Sequence, residues 1–350
     1  MYSRSVYSRR ARPTLRLLRE DLTSGWESPY PQRALEEGRL DDLPPMSEQP
    51  HPIVQKAMDS FGEDPSKDNS VRPIASSTRL RILEIKQSQW RGGVWQDPET
   101  DICWLVVAGL AKGNHRDADD FYERVRRENE FGDPSQWLPD SEDKRLLKRE
   151  TAARLRTEWE LNIQRDVLNA LKIVHTGGAH RLNIDHPIPG KGPFSSIEIS
   201  VDPERGDETN DDSSGSHVLD TDDIIVEFTP EKQYASTELF WSLITRVLIS
   251  IEPPHQNWDR FGNTFSNMGE PGAWTQRIED LSELVDANLL ALSESGIHSH
   301  YAHRKHLAGK TIAGEAVRSL CGTYFVPTQD HEALPKCPIC QERFSLLPER

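Results

Sequence analysis

An α+β protein with a metal-organised tail is what the sequence predicts, and three observations predict it. Short runs rich in β-branched and aromatic residues cluster at 80–110 and again at 180–229. Apolar residues recur at helical spacing over 141–176, 236–251 and 274–295. Three of the four cysteines fall within the last thirty residues, where thiols clustered in a short tail read as metal ligands. Grouped in the usual way, about 39% of the 350 residues are apolar, below the roughly 45–50% of an ordinary globular chain, so part of the sequence is expected to be linker or tail.

The first nineteen residues hold six arginines and no acid, and 20–78 is polar and proline-rich, so 1–78 is expected to be a disordered arm, basic and then proline-rich. Within it only 53–61 has the pattern of a short helix. Order is expected from Arg79 onward. Strands at 80–86, 93–97 and 102–110 form an antiparallel meander, and a helix over 117–129 follows behind an acidic first turn. These make a β-β-β-α unit over 79–132. A second, helical and antiparallel-sheet domain is expected over 140–296. Its long first helix carries Leu147, Leu155, Trp159, Ile163, Val167, Leu171 and Val174 and ends at Gly177 and Gly178. Strands at 180–186, 195–201 and 223–229 come next, then helices at 236–251 and 274–295, the last capped by Gly296. Between the second and third of these strands, residues 202–223 hold nine acids and one arginine, the composition of a solvated loop.

Composition also excludes function classes. No apolar run approaches the roughly 20 residues of a membrane span, and no signal-peptide core is present, so a cytoplasmic protein is expected. With 42 Lys+Arg against 57 Asp+Glu, a net charge of −15 argues against a chain that binds nucleic acid with its whole surface. Walker loop, Rossmann glycine pattern, nucleophile elbow and His-Glu-x-x-His are all missing, so no nucleotide cofactor is expected.

The sharpest chemical signal is Cys337-Pro-Ile-Cys340, preceded by Cys321-Gly322. Two thiolates separated by two residues wrap round one tetrahedral zinc, and Cys321 supplies a third sulfur. A histidine completes the shell, with His298, His300, His303 and His306 all within twenty-five residues upstream of Cys321. A Cys3His shell has no open position, so the zinc is expected to be structural. The residues Leu320-Cys-Gly-Thr-Tyr-Phe-Val-Pro327 and Pro335-Lys-Cys-Pro-Ile-Cys340, with His300-Tyr301 ahead of them, resemble a small zinc-ribbon family of unknown function found in actinobacterial-type, hence bacterial, proteins. The resemblance covers about fifty residues, taken as 297–350, and implies the ligand set His300, Cys321, Cys337 and Cys340. Phe325 stands where that family usually has a tryptophan.

A second, pattern-level resemblance lies in Leu80-Arg-Ile-Leu-Glu-Ile-Lys86, Arg91-Gly-Gly-Val-Trp95 and Trp104-Leu-Val-Val-Ala-Gly-Leu-Ala-Lys-Gly113, whose order resembles the RelE/ParE-type toxin superfamily. That resemblance implies a metal-independent cut in messenger RNA, carried by Lys86, Arg91, Lys112, His115, Tyr122 and Arg124. The two helices that precede the meander in that superfamily are not visible in the sequence. Basic residues at strand ends are commonly just solvated, and Cys103 in the apolar run reads as an inert core thiol. The preferred expectation is a non-enzymatic binding or regulatory protein, whose ribbon offers Tyr324, Phe325, Arg343 and Phe344 to an unknown protein or nucleic-acid partner. The alternative is a ribonuclease.

Overall fold

The apolar run at 102–110 becomes one of the two inner strands of a four-stranded sheet in the computed structural model. The structure describes residues 7–69, 71–112, 119–204, 221–255, 258–293, 296, 298–302, 317–321, 324–325 and 331–347. The chain divides into two units, Met1–Arg154 and Leu155–Arg350, each mixing α and β.

In the first unit, β1 (Arg12–Pro13), β2 (Leu83–Gln87), β3 (Trp90–Gln96) and β4 (Cys103–Leu110) lie in the order β1-β4-β3-β2. The expected meander is β2–β4, and β1 adds a parallel strand to its far edge. Because neighbouring side chains point to opposite faces, β4 feeds two cores, and a register irregularity opposite Gly93 and Val94 puts the neighbours Val106 and Val107 in the same one. Cys103, Leu105 and Ala108 pack with Ile53 and Val54 of α2 (Pro52–Ser60), which follows α1 (Pro29–Glu36) in the chain. Trp104, Val106 and Val107 pack with Phe121 and Val125 of α3 (Phe121–Glu130).

The expected disordered arm is corrected over residues 7–69. Leu15, Leu17, Leu18, Leu22, Met46, Ile53, Val54 and Phe61 are core residues, none more than 2% exposed. Two physical facts hid this. Pro29 and Pro52 open helices, where a missing N–H costs nothing, instead of marking linker. The arginines find their counter-charges elsewhere in the unit: Arg9 pairs Asp68, Arg12 lies 2.7 Å from Glu150, and Arg16 is 3.1 Å from the buried Asp21. Residues 1–6 lie outside the described residues.

The division between the units falls within α4 (Ser141–Val174). In the second unit β5 (Gly178–Asp185), β6 (Pro193–Glu204), β7 (Thr221–Pro230), β8 (Asp259–Phe261) and β9 (Thr264–Gly269) form an antiparallel sheet of order β5-β6-β7-β9-β8. Its core joins Ile197, Ile199, Ile224 and Val226 to Ile163, Val167 and Leu171 of α4, Leu243 and Val247 of α5 (Glu238–Ile251), and Leu281 of α6 (Ala273–Asp286). The β8–β9 hairpin, which adds Phe265 to this core, was not expected. The last of these helices is shorter than expected: it ends at Asp286, where Asn288 turns left-handed at φ 52° and Leu289 N–H donates to the Leu284 carbonyl at 2.9 Å. Gly296 is therefore not its cap. The acidic loop expected over 202–223 is strand at both ends, since β6 runs to Glu204 and β7 begins at Thr221. Residues 205–220 lie outside the described residues.

Candidate metal centre

Three short pieces of chain build the centre. β10 (Val317–Arg318) and β11 (Tyr324–Phe325) pair antiparallel, and Cys321 sits in the turn that follows β10. Cys337 is the N-cap of α7 (Pro338–Ser345) and Cys340 lies in its first turn, with Pro338 opening the helix. Between these two knuckles runs the stretch 298–302. Ser299 bridges Lys336 and Ala302 bridges Ser319, while Cys337 N–H donates to the Ser299 carbonyl at 2.9 Å and Leu320 N–H to the Tyr301 carbonyl at 2.7 Å. His300 is thus held between both cysteine-bearing segments by backbone pairing on either side.

The ligating atoms of His300, Cys321, Cys337 and Cys340 all lie within 4.8 Å of one another, so these four residues could hold a metal ion. His300 Nδ1 is 3.2 Å from Cys321 Sγ and 3.6 Å from Cys340 Sγ. Cys337 and Cys340 are buried and Cys321 is half-buried. Burial pushes the Cys340 thiol up, with the backbone groups of Tyr301 and Cys321 acting the other way, and a bound cation would displace its proton.

Support comes from neighbouring side chains, of which Ser319 was not singled out in the sequence reading. The Ser319 hydroxyl lies 3.0 Å from Cys321 Sγ. The Tyr301 ring stacks on Phe344 with centroids 4.7 Å apart, and Lys336 Nζ lies 5.7 Å from that ring's centroid. Arg343 donates to the Leu320 carbonyl at 3.2 Å, tying α7 to the Cys321 turn. Of the expected contact residues, Arg343 and Phe344 thus help hold the centre together, and Phe344 remains 54% exposed. The side chains of Tyr324 and Phe325 lie outside the described ones. Among the other histidines, His298 is not part of the cluster, and His303 and His306 lie outside the described residues.

The residues expected to serve RNA cleavage divide. Alternation puts Glu84 and Lys86 on one face of β2, and Lys86 faces Arg91 across the ladder. The Tyr122 hydroxyl donates to the Glu84 carboxylate, Arg91 Nε donates to the Tyr122 oxygen at 3.1 Å, and Lys86 Nζ is 3.1 Å from Glu84. Lys86, Arg91 and Tyr122 therefore meet, around a carboxylate the sequence reading had not named. Burial, followed by the Glu84 contact, raises the Tyr122 phenol and keeps it a proton donor. Lys112 stands apart, its backbone N–H on Asp120 at 2.8 Å and its amine 4.0 Å from Asp119. Arg124 is bound to the buried Asp21 at 3.2 and 3.1 Å and to the Ala108 carbonyl. His115 lies outside the described residues.

Residues 293–347 match the family described as Protein of unknown function (DUF3039), a span that takes in all four candidate ligands. No curated protein and no solved structure matches the chain. Among the described residues, no helix is long and apolar enough to cross a membrane.

Proposed function

We propose that His300, Cys321, Cys337 and Cys340 bind one structural zinc ion, and that the zinc-organised segment 297–350 is the binding module of a non-enzymatic regulatory protein. The observation that carries this reading is the convergence of one imidazole and three thiol donors within 4.8 Å of each other. In a tetrahedron with Zn–S of about 2.3 Å and Zn–N of about 2.0–2.1 Å, neighbouring ligand atoms stand about 3.5–3.8 Å apart. The 3.2 and 3.6 Å separations from His300 Nδ1 are close to that spacing. Three soft sulfurs with one imidazole suit zinc over calcium or magnesium, which seek oxygen. All four positions are filled by protein, so the ion supplies cross-linking and no open site for a substrate.

The test is limited trypsin digestion of the full chain before and after chelation. Zinc-loaded protein is expected to resist cutting after Arg318, Lys336 and Arg343, and chelated protein to be cut there, with the protection restored by added zinc. An identical digestion pattern in both states contradicts a structural role.

A second reading belongs to the first unit. Of the two helices expected of the toxin superfamily ahead of the meander, the sequence offered at most one, at 53–61, yet both α1 and α2 lie there. Together with the gathering of Lys86, Arg91 and Tyr122 about Glu84, this supports a messenger RNA endoribonuclease. Primer extension after induced expression decides it: specific cuts should appear with the wild type and fall at least tenfold with Arg91→Ala and Tyr122→Phe. Intact transcripts in the wild type remove the ribonuclease and leave the zinc module untouched.

A further inference from the structure

We propose that Cys321 is a hydroperoxide-reactive thiolate whose oxidation closes a disulfide to Cys340 and expels the zinc, which makes the centre a redox latch. This rests on the zinc reading above.

The four cysteines occupy distinct environments. Cys103 is fully buried between β-sheet and helix, and burial pushes its thiol up to about 12, which leaves it inert. Cys337 and Cys340 are 6% and 0% exposed. Cys321 is the half-buried thiol of the cluster, reachable from solvent, with the Ser319 hydroxyl 3.0 Å from its sulfur, where an O–H can donate to a thiolate. An oxidant that arrives from water therefore meets Cys321 first. Inside the 4.8 Å cluster, which also holds Cys337, the sulfur in side-chain hydrogen-bond contact with Cys321 is the fully buried Cys340. The structure thus pairs an accessible sulfur with a shielded resolving one, as peroxide-sensing thiols are paired.

The chemistry balances with hydrogen peroxide as the oxidant. The Cys321 sulfur attacks one peroxide oxygen, an S–O bond forms, the O–O bond breaks and hydroxide leaves. The Cys340 sulfur then attacks the Cys321 sulfur, an S–S bond forms, the S–O bond breaks and a second hydroxide leaves. Two electrons pass from the two thiolates to the peroxide. Zinc loses two of its four ligands, and His300 with Cys337 alone cannot complete a tetrahedron, so the ion departs. The new bond joins the turn after β10 to the first turn of α7, the same two segments the zinc had joined. Oxidation therefore frees the His300 imidazole from the ion while the two knuckles stay tied to each other and to the stretch 298–302 by its backbone pairing.

The experiment titrates the zinc-loaded full chain with hydrogen peroxide. It follows zinc release with a chelating dye and maps disulfides by mass spectrometry of unreduced peptides. One zinc per chain is expected to leave in step with one Cys321–Cys340 disulfide, Cys337 and Cys103 remaining thiols, and dithiothreitol with zinc is expected to reverse the change. A Cys337–Cys340 disulfide, sulfinic acid without a disulfide, or zinc retained under excess peroxide overturns the latch and leaves the zinc reading standing. A chain that binds no zinc when refolded with it overturns both.

Discussion

His51 shows how one buried residue can set a pH response. Its ring is fully buried between Trp26 and Trp90, its Nδ1 accepts from Ile53 N–H at 3.3 Å as the N-cap of α2, and its Nε2 lies 2.9 Å from the Ser24 carbonyl. Those partners require the neutral ring protonated on Nε2. Burial lowers its affinity for a second proton, partly opposed by Ser24. The unfolded chain, with an ordinary value near 6.5, therefore takes up a proton first as pH falls. The stability His51 contributes is present above about pH 6.5 and lost as pH falls toward the lowered folded value. Urea midpoints of the wild type are expected to drop between about pH 7.5 and 5.5, and those of His51→Asn, which keeps a capping acceptor, to drop less. Equal slopes contradict the assignment. Gln164 acts by geometry alone: fully buried, it donates to the Leu289 carbonyl at 2.8 Å and accepts from Ala291 N–H at 2.7 Å, clipping the segment that leads from α6 toward the metal centre. Gln164→Ala is expected to cost about 1–3 kcal/mol, read from urea denaturation, because two backbone groups lose their partners.

At the scale of elements, β3 depends on close approach. A Cβ at Gly93 would stand 2.4 Å from Ile82 Cγ2 and 2.7 Å from Val107 Cγ1, so Gly93→Ala is expected to destabilise the first unit by about 1–3 kcal/mol through overpacking. An unchanged thermal midpoint would show that the sheet relaxes freely there. The elements legible in the sequence were those whose pattern is local: the continuous apolar run of β4, the 3.6-residue repeat of α4, the apolar stripe of α5. What stayed hidden was held by partners far along the chain. β1 is two residues long and exists through its parallel pairing with β4, and Arg12 is answered by Glu150 from α4. The three-residue β8 was hidden for another reason: it is too short to show an alternating pattern, although its partner β9 follows directly in a hairpin. The cysteine spacing pointed to the candidate metal site, whereas choosing His300 among four histidines took the family resemblance. Ser319 and Glu84 left no signal, since a lone hydroxyl or strand carboxylate looks the same wherever it points.

Over the whole molecule, charge is unevenly placed. The acidic stretch 202–223 supplies −8 of the net −15, whereas 293–347 holds six Lys+Arg against five Asp+Glu. The segment that matches the family is thus close to neutral within an acidic chain, with Ile339, Phe344, Leu346 and Leu347 exposed at its end. Exposed apolar side chains in that density are what an interaction surface offers, and in the proposed reading cross-linking by zinc keeps it presented. The measurement that tests this account most directly is X-ray absorption at the zinc edge on the purified full chain. The expected spectrum shows three sulfurs at about 2.3 Å and one nitrogen at about 2.0–2.1 Å, falling to two sulfurs in Cys340→Ser. A shell of oxygen and nitrogen, or an unchanged sulfur count in that variant, would contradict it.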